Sequence, residues 1–350
     1  MIIVGVMSGS SLDGLDMAAV QFSDHSTYQL LAGYTAELDT DIVARLRACT
    51  KLSALEYLQL DRDYAAIIGE HVQRFLSDHH ITADAIGLHG HTVVHEPDHG
   101  LTTQLASGGV LCSVTGTDVI TDFRIQDVTK GGIGTPLVSI MDHKLLSGYD
   151  HYLNLGGIAN ISHTTDGKVS AYDVCPCNQL LNYIAQQQAN VPYDDGGNIA
   201  RKGNIIPALI DDIDQLNYWT APTPKSLDNN WIKENILAAL PMNDSAEDLL
   251  HTVTLWIARK IAATLPHTAE KVLVTGGGAY NLHLIEQLQQ MAGKNGHEII
   301  VAEPQLIDYK EAILMAYLAY LRLTDQPNVL QAVTNASSDT IAGAHYKANR

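Results

Sequence analysis

Residues 2–22, IIVGVMSGSSLDGLDMAAVQF, decide how the rest of the chain is interpreted. The apolar runs 2–7 and 17–22 have the length and composition of buried strands, and SGSSLDGLD joins them. Gly9 and Gly14 let the backbone bend tightly and approach a ligand closely. The serine hydroxyls and backbone N–H groups of such a turn can hold an anion. An ordinary hairpin with a polar loop has the same pattern, so later segments must decide between the two interpretations.

The acidic residues of this turn suit a metal better than a phosphate. Asp13 and Asp16 repel phosphate oxygens, but they can hold a hydrated Mg²⁺ that bridges to phosphates. The turn is not a Walker motif, because no Gly-Lys-Ser/Thr follows it. We therefore expect any phosphate site here to rely on backbone donors and a metal.

Composition limits the classes of function. The chain has 350 residues, 46% hydrophobic, which is enough for two domains or one large one. It has no 18-residue apolar run and no basic segment followed by a long apolar one, so we expect neither a membrane span nor a secretory signal. Four cysteines at this length indicate reduced thiols in a cytoplasm. A net charge of −18 argues against nucleic-acid binding but not against an anionic substrate.

The first half of the chain continues with strands and helices of a larger unit. A strand is predicted over 25–39, helices over 41–49 and 53–78, and a strand over 85–90; the second helix shows one apolar side that includes Leu55 and Leu58. His89, His91 and His95 follow that last strand. With no thiolate or second cluster nearby, we interpret them as a polar wall of a substrate cleft rather than as a metal site.

A glycine turn at 131–134 precedes Pro136 and an apolar periodic run. Proline suits a first helical turn, so the pattern predicts a helix that begins at Pro136. The N-terminus of that helix, close to Arg124, would attract negative charge. A domain hinge with a capped helix is an equally good interpretation and is compatible with the first.

The second half repeats the opening pattern. Residues 151–162 read as strand, Gly-Gly turn, strand, and 168–174 as a strand followed by a helix after Asn178. A third glycine turn, KVLVTGGGAYN at 271–281, lies between a strand and a helix. Three glycine turns at strand ends indicate a nucleotide held between two related lobes.

Several motifs in this order carry a resemblance to a known family: MSGSSLDGLD, LHGHTVVHEP, DFR, GGIGTPLV, NLGGIANIS and VTGGGAYN. Together they resemble the anhydro-N-acetylmuramic acid kinases of the sugar kinase, Hsp70 and actin superfamily, from residue 2 to about 345. The resemblance implies an α/β, two-lobed actin-like ATPase fold, built from duplicated ribonuclease H-like domains with a central nucleotide cleft. It places the lobes at 1–130 and 131–350, joined near 125–136. The implied reaction uses ATP and Mg²⁺ to open the anhydro sugar with water and to phosphorylate its 6-oxygen.

The resemblance also implies roles for individual residues. Asp173 matches the catalytic aspartate and Glu311 a late glutamate of the family; an N-cap and a surface helix residue are the alternatives for these two. The resemblance implies substrate contacts for Arg124, His91 and Asn178, and metal contacts for Asp13 and Asp16. The implied nucleotide-binding residues are Gly9, Ser10, Ser11, Leu12, Asp13, Gly14, Asp16, Gly156, Gly157, Gly276, Gly277 and Gly278.

The chain departs from the family pattern at three places. The family's Asp-Thr-Gly-Pro-Gly-Asn reads Asp-Val-Cys-Pro-Cys-Asn here, so Cys175 and Cys177 replace glycines. Ile125 and Gln126 replace two arginines, which weakens the positive wall beside Arg124. The Pro-Lys-Ser segment at 224–226 is kept, but its second half differs.

Three further functions stay open: a kinase of the same superfamily that acts on another amino sugar, an ATP-driven conformational switch, and a silent sugar-binding descendant. The expected partner is a small amino sugar, without nucleic acid or membrane, and the resemblance implies a homodimer.

Overall fold

The chain folds into two compact units. The structure, a computed structural model, describes residues 1–349 except 10, 11, 13, 166, 167 and 224, and for 165 and 168 it describes the backbone alone. Unit 1 contains Met1–Ser147 and Tyr309–Arg350, and unit 2 contains Gly148–Asp308. Among the described residues, no helix combines the length and apolar character that crossing a bilayer requires.

Runs of strands and runs of helices follow one another along the chain. The strands are β1 (Ile2–Ser8), β2 (Leu15–Phe22), β3 (Tyr28–Ala36), β4 (Ala85–Leu88), β5 (His91–Glu96), β6 (Leu101–Leu105), β7 (Asp118–Thr121), β8 (His151–Leu155), β9 (Ile158–Thr165), β10 (Lys168–Pro176), β11 (Lys271–Thr275), β12 (Glu298–Val301) and β13 (Ala344–Tyr346). The α-helices are α1 (Thr40–Arg47), α2 (Ala54–Asp78), α3 (Gly108–Thr115), α4 (Ile125–Thr129), α5 (Asn178–Ile184), α6 (Pro207–Asp214), α7 (Asn229–Asn235), α8 (Ala246–Ala262), α9 (Leu282–Ala292), α10 (Pro304–Leu323) and α11 (Gln331–Thr334).

The two main sheets share one strand order. In unit 1 the order is β13-β7-β4-β1-β2-β3, and in unit 2 it is β10-β9-β8-β11-β12. In each unit three consecutive antiparallel strands are followed by two strands that run parallel to the first of them, and in unit 1 the edge strand β13 is added antiparallel to β7. This repetition confirms the predicted α/β class and the predicted duplication, because the order is that of a ribonuclease H-like sheet. The strands β5 and β6 form a separate hairpin.

The sheet of unit 1 is covered on both faces. Val4 and Val6 point into a core with Tyr64 and Ile68 of α2. Side chains alternate along a strand, so Gly5 lies on the opposite face. There a Cβ on Gly5 would come 1.7 Å from the carbonyl oxygen of Ala312, which shows that α10 packs its backbone directly on β1.

This packing explains why the division differs from the predicted lobes 1–130 and 131–350. Residues 131–147 and 309–350 belong to unit 1. Helix α10 also lies on β4, where a Cβ on Gly87 would come 2.2 Å from the Met315 oxygen. Strand β13 pairs with β7. The C-terminal segment therefore completes the N-terminal sheet, and the second boundary falls at Tyr309, whose φ of −115° interrupts the helical geometry of α10.

Two local predictions differ from the structure in detail. A helix does follow the glycine turn, but it begins after Pro136: residues 132–137 are irregular, 139–140 are α-helical and Met141–Leu145 form a π-helix. On α2, Leu55 and Leu58 are 67% and 63% exposed. The buried residues of α2 begin at Leu60.

Candidate functional site

The opening turn lies between β1 and β2, as predicted, and three of its predicted ligands, Ser10, Ser11 and Asp13, lie outside the described residues. Leu12 has a φ of +57° and its side chain is buried in the core of unit 1, so only its backbone can serve a ligand. A Cβ on Gly14 would come 2.7 Å from Cγ2 of Thr35, which explains the glycine. Thr35 also donates a hydrogen bond of 2.7 Å to Oδ1 of Asp16.

The oxygen ligands available here fit magnesium in kind. Mg²⁺ in nucleotide sites takes one or two carboxylates, with phosphate and water oxygens completing its shell. Asp16 supplies one oriented carboxylate. Within the described part of the chain, no three His, Cys, Asp or Glu side chains gather as a metal site.

His89 and Arg124 come together at one edge of the sheet of unit 1. His89 follows β4 and Arg124 follows β7, and neighbouring parallel strands end at the same edge. Nε of Arg124 donates to Nε2 of His89 over 3.0 Å, and Nδ1 of His89 lies 2.8 Å from the Gly90 oxygen. The backbone N–H of His89 donates to Val6 of β1. The histidine therefore has a fixed position between β1 and the arginine.

Burial and neighbouring charges shift the pKa values of His89 and Arg124. Burial lowers the pKa of His89 to about 4, and the positive charge of Arg124 acts in the same direction. Burial also lowers the pKa of Arg124, whereas the negative charge of Glu311 raises it. Glu311 is exposed on α10. The structure thus brings the predicted residues Arg124 and Glu311 into electrostatic contact within unit 1.

His91, a predicted substrate residue, is 7% exposed at the start of β5. Its Nδ1 is buried and has no hydrogen-bond partner among the described residues. Burial lowers the pKa of the ring. A buried polar atom without a protein partner calls for a water or a ligand, so His91 suits the predicted role.

The glycine turn at 131–134 wraps around a buried carboxylate. Asp127 is 0% exposed, and its Oδ2 accepts the N–H of Gly134 over 2.9 Å. Its Oδ1 accepts the hydroxyl of Thr334 over 2.7 Å. A Cβ on Gly132 would come 2.2 Å from Oδ2, so the turn needs glycine there. A Cβ on Gly134 would come 3.4 Å from Cβ of Arg124, so the turn lies against the arginine.

The two residues that replace the family's arginines, Ile125 and Gln126, have different surroundings. Ile125 is exposed, and Gln126 accepts the backbone N–H of Gly343 at Oε1 over 3.1 Å. Gln126 therefore ties α4 to the C-terminal segment instead of adding positive charge beside Arg124.

Two glycine turns and one asparagine meet in unit 2. Nδ2 of Asn178 donates to the Leu155 oxygen over 2.9 Å, directly before Gly156 and Gly157. A Cβ on Gly278 would come 2.9 Å from Oδ1 of Asn178. The contacts of Asn178, predicted to bind the substrate, thus hold one glycine turn against the other.

The glycines of these turns differ in what surrounds them. A Cβ on Gly276 would come 2.5 Å from Oδ1 of Asn154, and Gly276 has a φ of +81°. Gly157 and Gly277 are exposed, and the nearest atoms to a Cβ there lie 3.8 and 3.9 Å away. Gly276 and Gly278 therefore serve packing, while Gly157 and Gly277 present open backbone that suits a phosphate.

Asp173 lies in β10, opposite Asn160 and next to a β-bulge. Its Oδ2 accepts two hydrogen bonds, from the Ser226 hydroxyl over 3.1 Å and from the Leu227 N–H over 2.8 Å. Its backbone is held as well, because its N–H donates to Lys225 and its carbonyl accepts the Tyr218 hydroxyl. The N-cap of α5 is Cys177, so Asp173 does not cap this helix. Its carboxylate is instead oriented by the segment 225–227.

Cys175 and Cys177 are buried free thiols. Burial raises the pKa of Cys175 well above its usual value and the pKa of Cys177 to about 12. Such thiols carry no thiolate at neutral pH, so they contribute packing rather than nucleophilic chemistry.

Comparison with known proteins settles the family. The family model for anhydro-N-acetylmuramic acid kinase matches residues 1–348. The chain belongs to this family. It is 34% identical to the anhydro-N-acetylmuramic acid kinase of Burkholderia orbicola, over 98% of this chain and 95% of that protein. It is 31% identical to that of Nitrosomonas europaea, over 99% of both. Among solved structures, the activator of the 2-hydroxyisocaproyl-CoA dehydratase from Clostridium difficile with bound ADPNP covers 93% of this chain and 97% of its own, at a TM-score of 0.45 and 12% identity.

Membership of the anhydro-N-acetylmuramic acid kinase family confirms the resemblance found in the sequence. The chain is an enzyme, a kinase of carbohydrate metabolism that uses ATP. Three partners of the candidate site were missed by sequence reasoning: His89 as the acceptor for Arg124, Asp127 inside the glycine turn, and Ser226 on Asp173. The retained Pro-Lys-Ser segment held a signal for Ser226, but nothing in the sequence pairs it with a residue 53 positions away.

Proposed function

We propose that the chain opens 1,6-anhydro-N-acetylmuramic acid with water and phosphorylates its 6-oxygen, giving N-acetylmuramic acid 6-phosphate and ADP. The observation that carries this is the carboxylate of Asp173, whose Oδ2 is held by Ser226 and Leu227. A carboxylate held in one orientation suits a base that must take a proton from a water in a defined direction.

Ring opening and phosphoryl transfer form one connected step. Water attacks the anomeric carbon while Asp173 takes a proton from it. The bond between that carbon and the 6-oxygen breaks, and its electron pair stays on the 6-oxygen, which bonds to the γ-phosphorus. The bond from this phosphorus to the bridging oxygen breaks, and that electron pair leaves with ADP. No separate acid is needed, because the 6-oxygen is captured by phosphorus rather than by a proton.

The other residues bind and orient. We assign Arg124 and His91 to the sugar, because Arg124 offers N–H donors and His91 a buried unpartnered nitrogen. The open backbone at Gly157 and Gly277 and the turn around Gly9 and Gly14 suit phosphate oxygens. We assign Asp16 and Asp13 to magnesium, which when bound neutralises phosphate charge. Glu311 stabilises the charge on Arg124.

The test replaces Asp173 by Asn. Asn keeps an oxygen that can accept the Leu227 N–H but cannot take a proton, so turnover should fall by about 10² to 10⁴, the usual loss of a general base. Affinity for a nonhydrolysable ATP analogue, measured by calorimetry, should stay within about twofold of wild type, since this change removes a proton acceptor and no phosphate donor. Ser226→Ala should lower kcat less, because one of the two hydrogen bonds on Oδ2 remains.

Asp228→Asn is the matched control. Asp228 caps α7 by accepting the N–H groups of Asn230 and Trp231, and asparagine caps helices equally well. This variant should keep wild-type turnover. An Asp173→Asn enzyme within about tenfold of wild type would remove Asp173 from the mechanism, since that is less than the usual general-base effect.

A second candidate is a kinase for another amino sugar, with Asp173 taking the proton from a hydroxyl. The replacement of two arginines by Ile125 and by Gln126, which binds Gly343, favours it. Mass analysis of products from a panel of anhydro and reducing amino sugars distinguishes the two. ATP consumption that does not depend on any added sugar would instead indicate a conformational switch.

We also propose that the enzyme acts in the cytoplasm as a homodimer. Four buried free thiols support the compartment, and the family resemblance supports the dimer. Light scattering should give twice the chain mass of 37.9 kDa, and a monomer mass would contradict the dimer.

A further inference from the structure

We propose that His89 is a positioning residue: it accepts a hydrogen bond from Nε of Arg124 and so holds the guanidinium with its two terminal amino groups left for an oxyanion of the ligand. This inference rests on the proposed function, because Arg124 is assigned there to the sugar.

The contact fixes the proton on the imidazole. A guanidinium can only donate, so Nε2 of His89 must accept, and the ring proton must lie on Nδ1. Nδ1–H then donates to the Gly90 oxygen at 2.8 Å. A second ring proton would place two donors face to face at 3.0 Å. His89 therefore works as a neutral, single-tautomer acceptor.

The histidine is itself held rigidly. It is 5% exposed, and its backbone N–H donates to the Val6 oxygen of β1. Gly90, directly after it, has a φ of +76°, and a Cβ there would come 2.3 Å from the Leu105 oxygen. The position of His89 is thus set by the sheet and by a tight turn, and the histidine passes this rigidity on to the arginine.

The arginine keeps donors for a ligand. Guanidinium has five N–H groups, and the bond to His89 uses the one on Nε. The paired donors of Nη1 and Nη2 match the two oxygens of a carboxylate or a phosphate. Two sources are available in the proposed reaction, the lactyl carboxylate of the sugar and a phosphate of ATP.

Two amide variants separate positioning from support of the turn. The carboxamide of Gln reaches the place of Nε2, so His89→Gln keeps an acceptor for Arg124. The shorter Asn places its amide near Nδ1, so His89→Asn keeps the donor to Gly90 and loses the acceptor. Positioning predicts that Asn raises KM for the anhydro sugar by at least about tenfold, a typical effect of misplacing a binding group, while Gln stays within about threefold of wild type. If His89 only supports the turn at Gly90, His89→Gln should instead raise KM more than His89→Asn.

Three controls make the result decisive. On an Arg124→Ala background, His89→Asn should raise KM no further, because the two residues act as one unit. With 1,6-anhydro-N-acetylglucosamine, which lacks the lactyl group, the loss should disappear if the oxyanion is the carboxylate. If the loss lies in affinity for the ATP analogue, the oxyanion is a phosphate. An Asn variant equal to wild type, a Gln variant as poor as Asn, or an additive loss on Arg124→Ala would overturn the inference.

The outcome does not depend on turnover alone. Nitrogen-15 spectra of the wild-type imidazoles should show His89 as the neutral Nδ1–H tautomer from pH 6 to 8, and an imidazolium or an Nε2–H tautomer would overturn the inference even if His89→Asn failed to fold. A wild-type enzyme that phosphorylates no sugar would refute the proposed function, while these spectra would still decide the contact.

Discussion

Acid should destabilise the wild-type chain more than a His89→Gln variant, because His89 is buried as a neutral base. The unfolded chain protonates this histidine near its ordinary pKa of 6.5, and in the folded chain burial and Arg124 lower the pKa to about 4. Between these values the unfolded state binds more protons, so stability rises with pH. The contribution is complete above pH 6.5 and is lost as the pH falls toward 4.

The two pKa values set the magnitude. Each pKa unit corresponds to about 1.4 kcal/mol, so the free energy of unfolding should fall by about 2 kcal/mol between pH 8 and pH 5, and by about 3 kcal/mol at pH 4, through His89 alone. Gln carries no titrating group, so the variant lacks this loss. His91 and His95 also have pKa values lowered by burial, and they titrate in both proteins. The difference between the two chains therefore isolates His89.

Urea unfolding followed by circular dichroism at pH 8, 7, 6 and 5 measures the difference. All three tryptophans, Trp219, Trp231 and Trp256, lie in unit 2, whereas His89 lies in unit 1. Tryptophan fluorescence thus provides a separate record for unit 2 in the same samples. If the unfolding free energies of wild type and His89→Gln differ by the same amount at pH 8 and pH 5, His89 is not the neutral, buried base described here.

Two further predictions concern packing. Burial raises the pKa of both Cys175 and Cys177, so iodoacetamide at pH 8 should leave them unmodified in the native chain, as measured by mass spectrometry. The variant with alanine at both positions should still turn over. Rapid labelling of the native chain would contradict this prediction. Gly5→Ala should lower the free energy of unfolding by more than about 4 kcal/mol or prevent folding, since its Cβ would overlap Ala312. Gly293→Ala, with open space around it, should change the free energy of unfolding in urea by less than about 1 kcal/mol. Similar values for the two variants would refute the close approach of α10.

Local patterns predicted the elements better than their assembly. The paired apolar runs and glycine turns of the first 22 residues predicted β1, β2 and the turn between them, and the same pattern predicted β8 and β9. The place of α10 could not be predicted, because its packing on Gly5 and Gly87 joins residues more than 200 positions apart. The exposed Leu55 and Leu58 fit a helical period equally well whether or not a sheet lies beneath them.

The candidate site shows the same limit. Motifs identified Asp173 and Arg124, whose residue types carry the chemistry. Their partners Ser226 and His89 are set by folding across 53 and 35 positions. Serine and histidine are too common for composition to select them. The helix predicted from Pro136 begins later, at Ser139, after the turn in which the N–H of Gly134 donates to the buried carboxylate of Asp127.

Because the C-terminal segment belongs to unit 1, unit 1 can be completed only after unit 2 has been synthesised. When residue 147 has been made, β1 and β4 exist, but the helix that covers Gly5 and Gly87 has not been translated. At 5–20 residues per second, the ribosome needs on the order of 10 to 30 seconds to make residues 148–308. During that interval unit 2 can fold completely, whereas one face of the first sheet stays open to water and to chaperones. A nascent chain arrested before α10 should therefore be the aggregation-prone form of this protein.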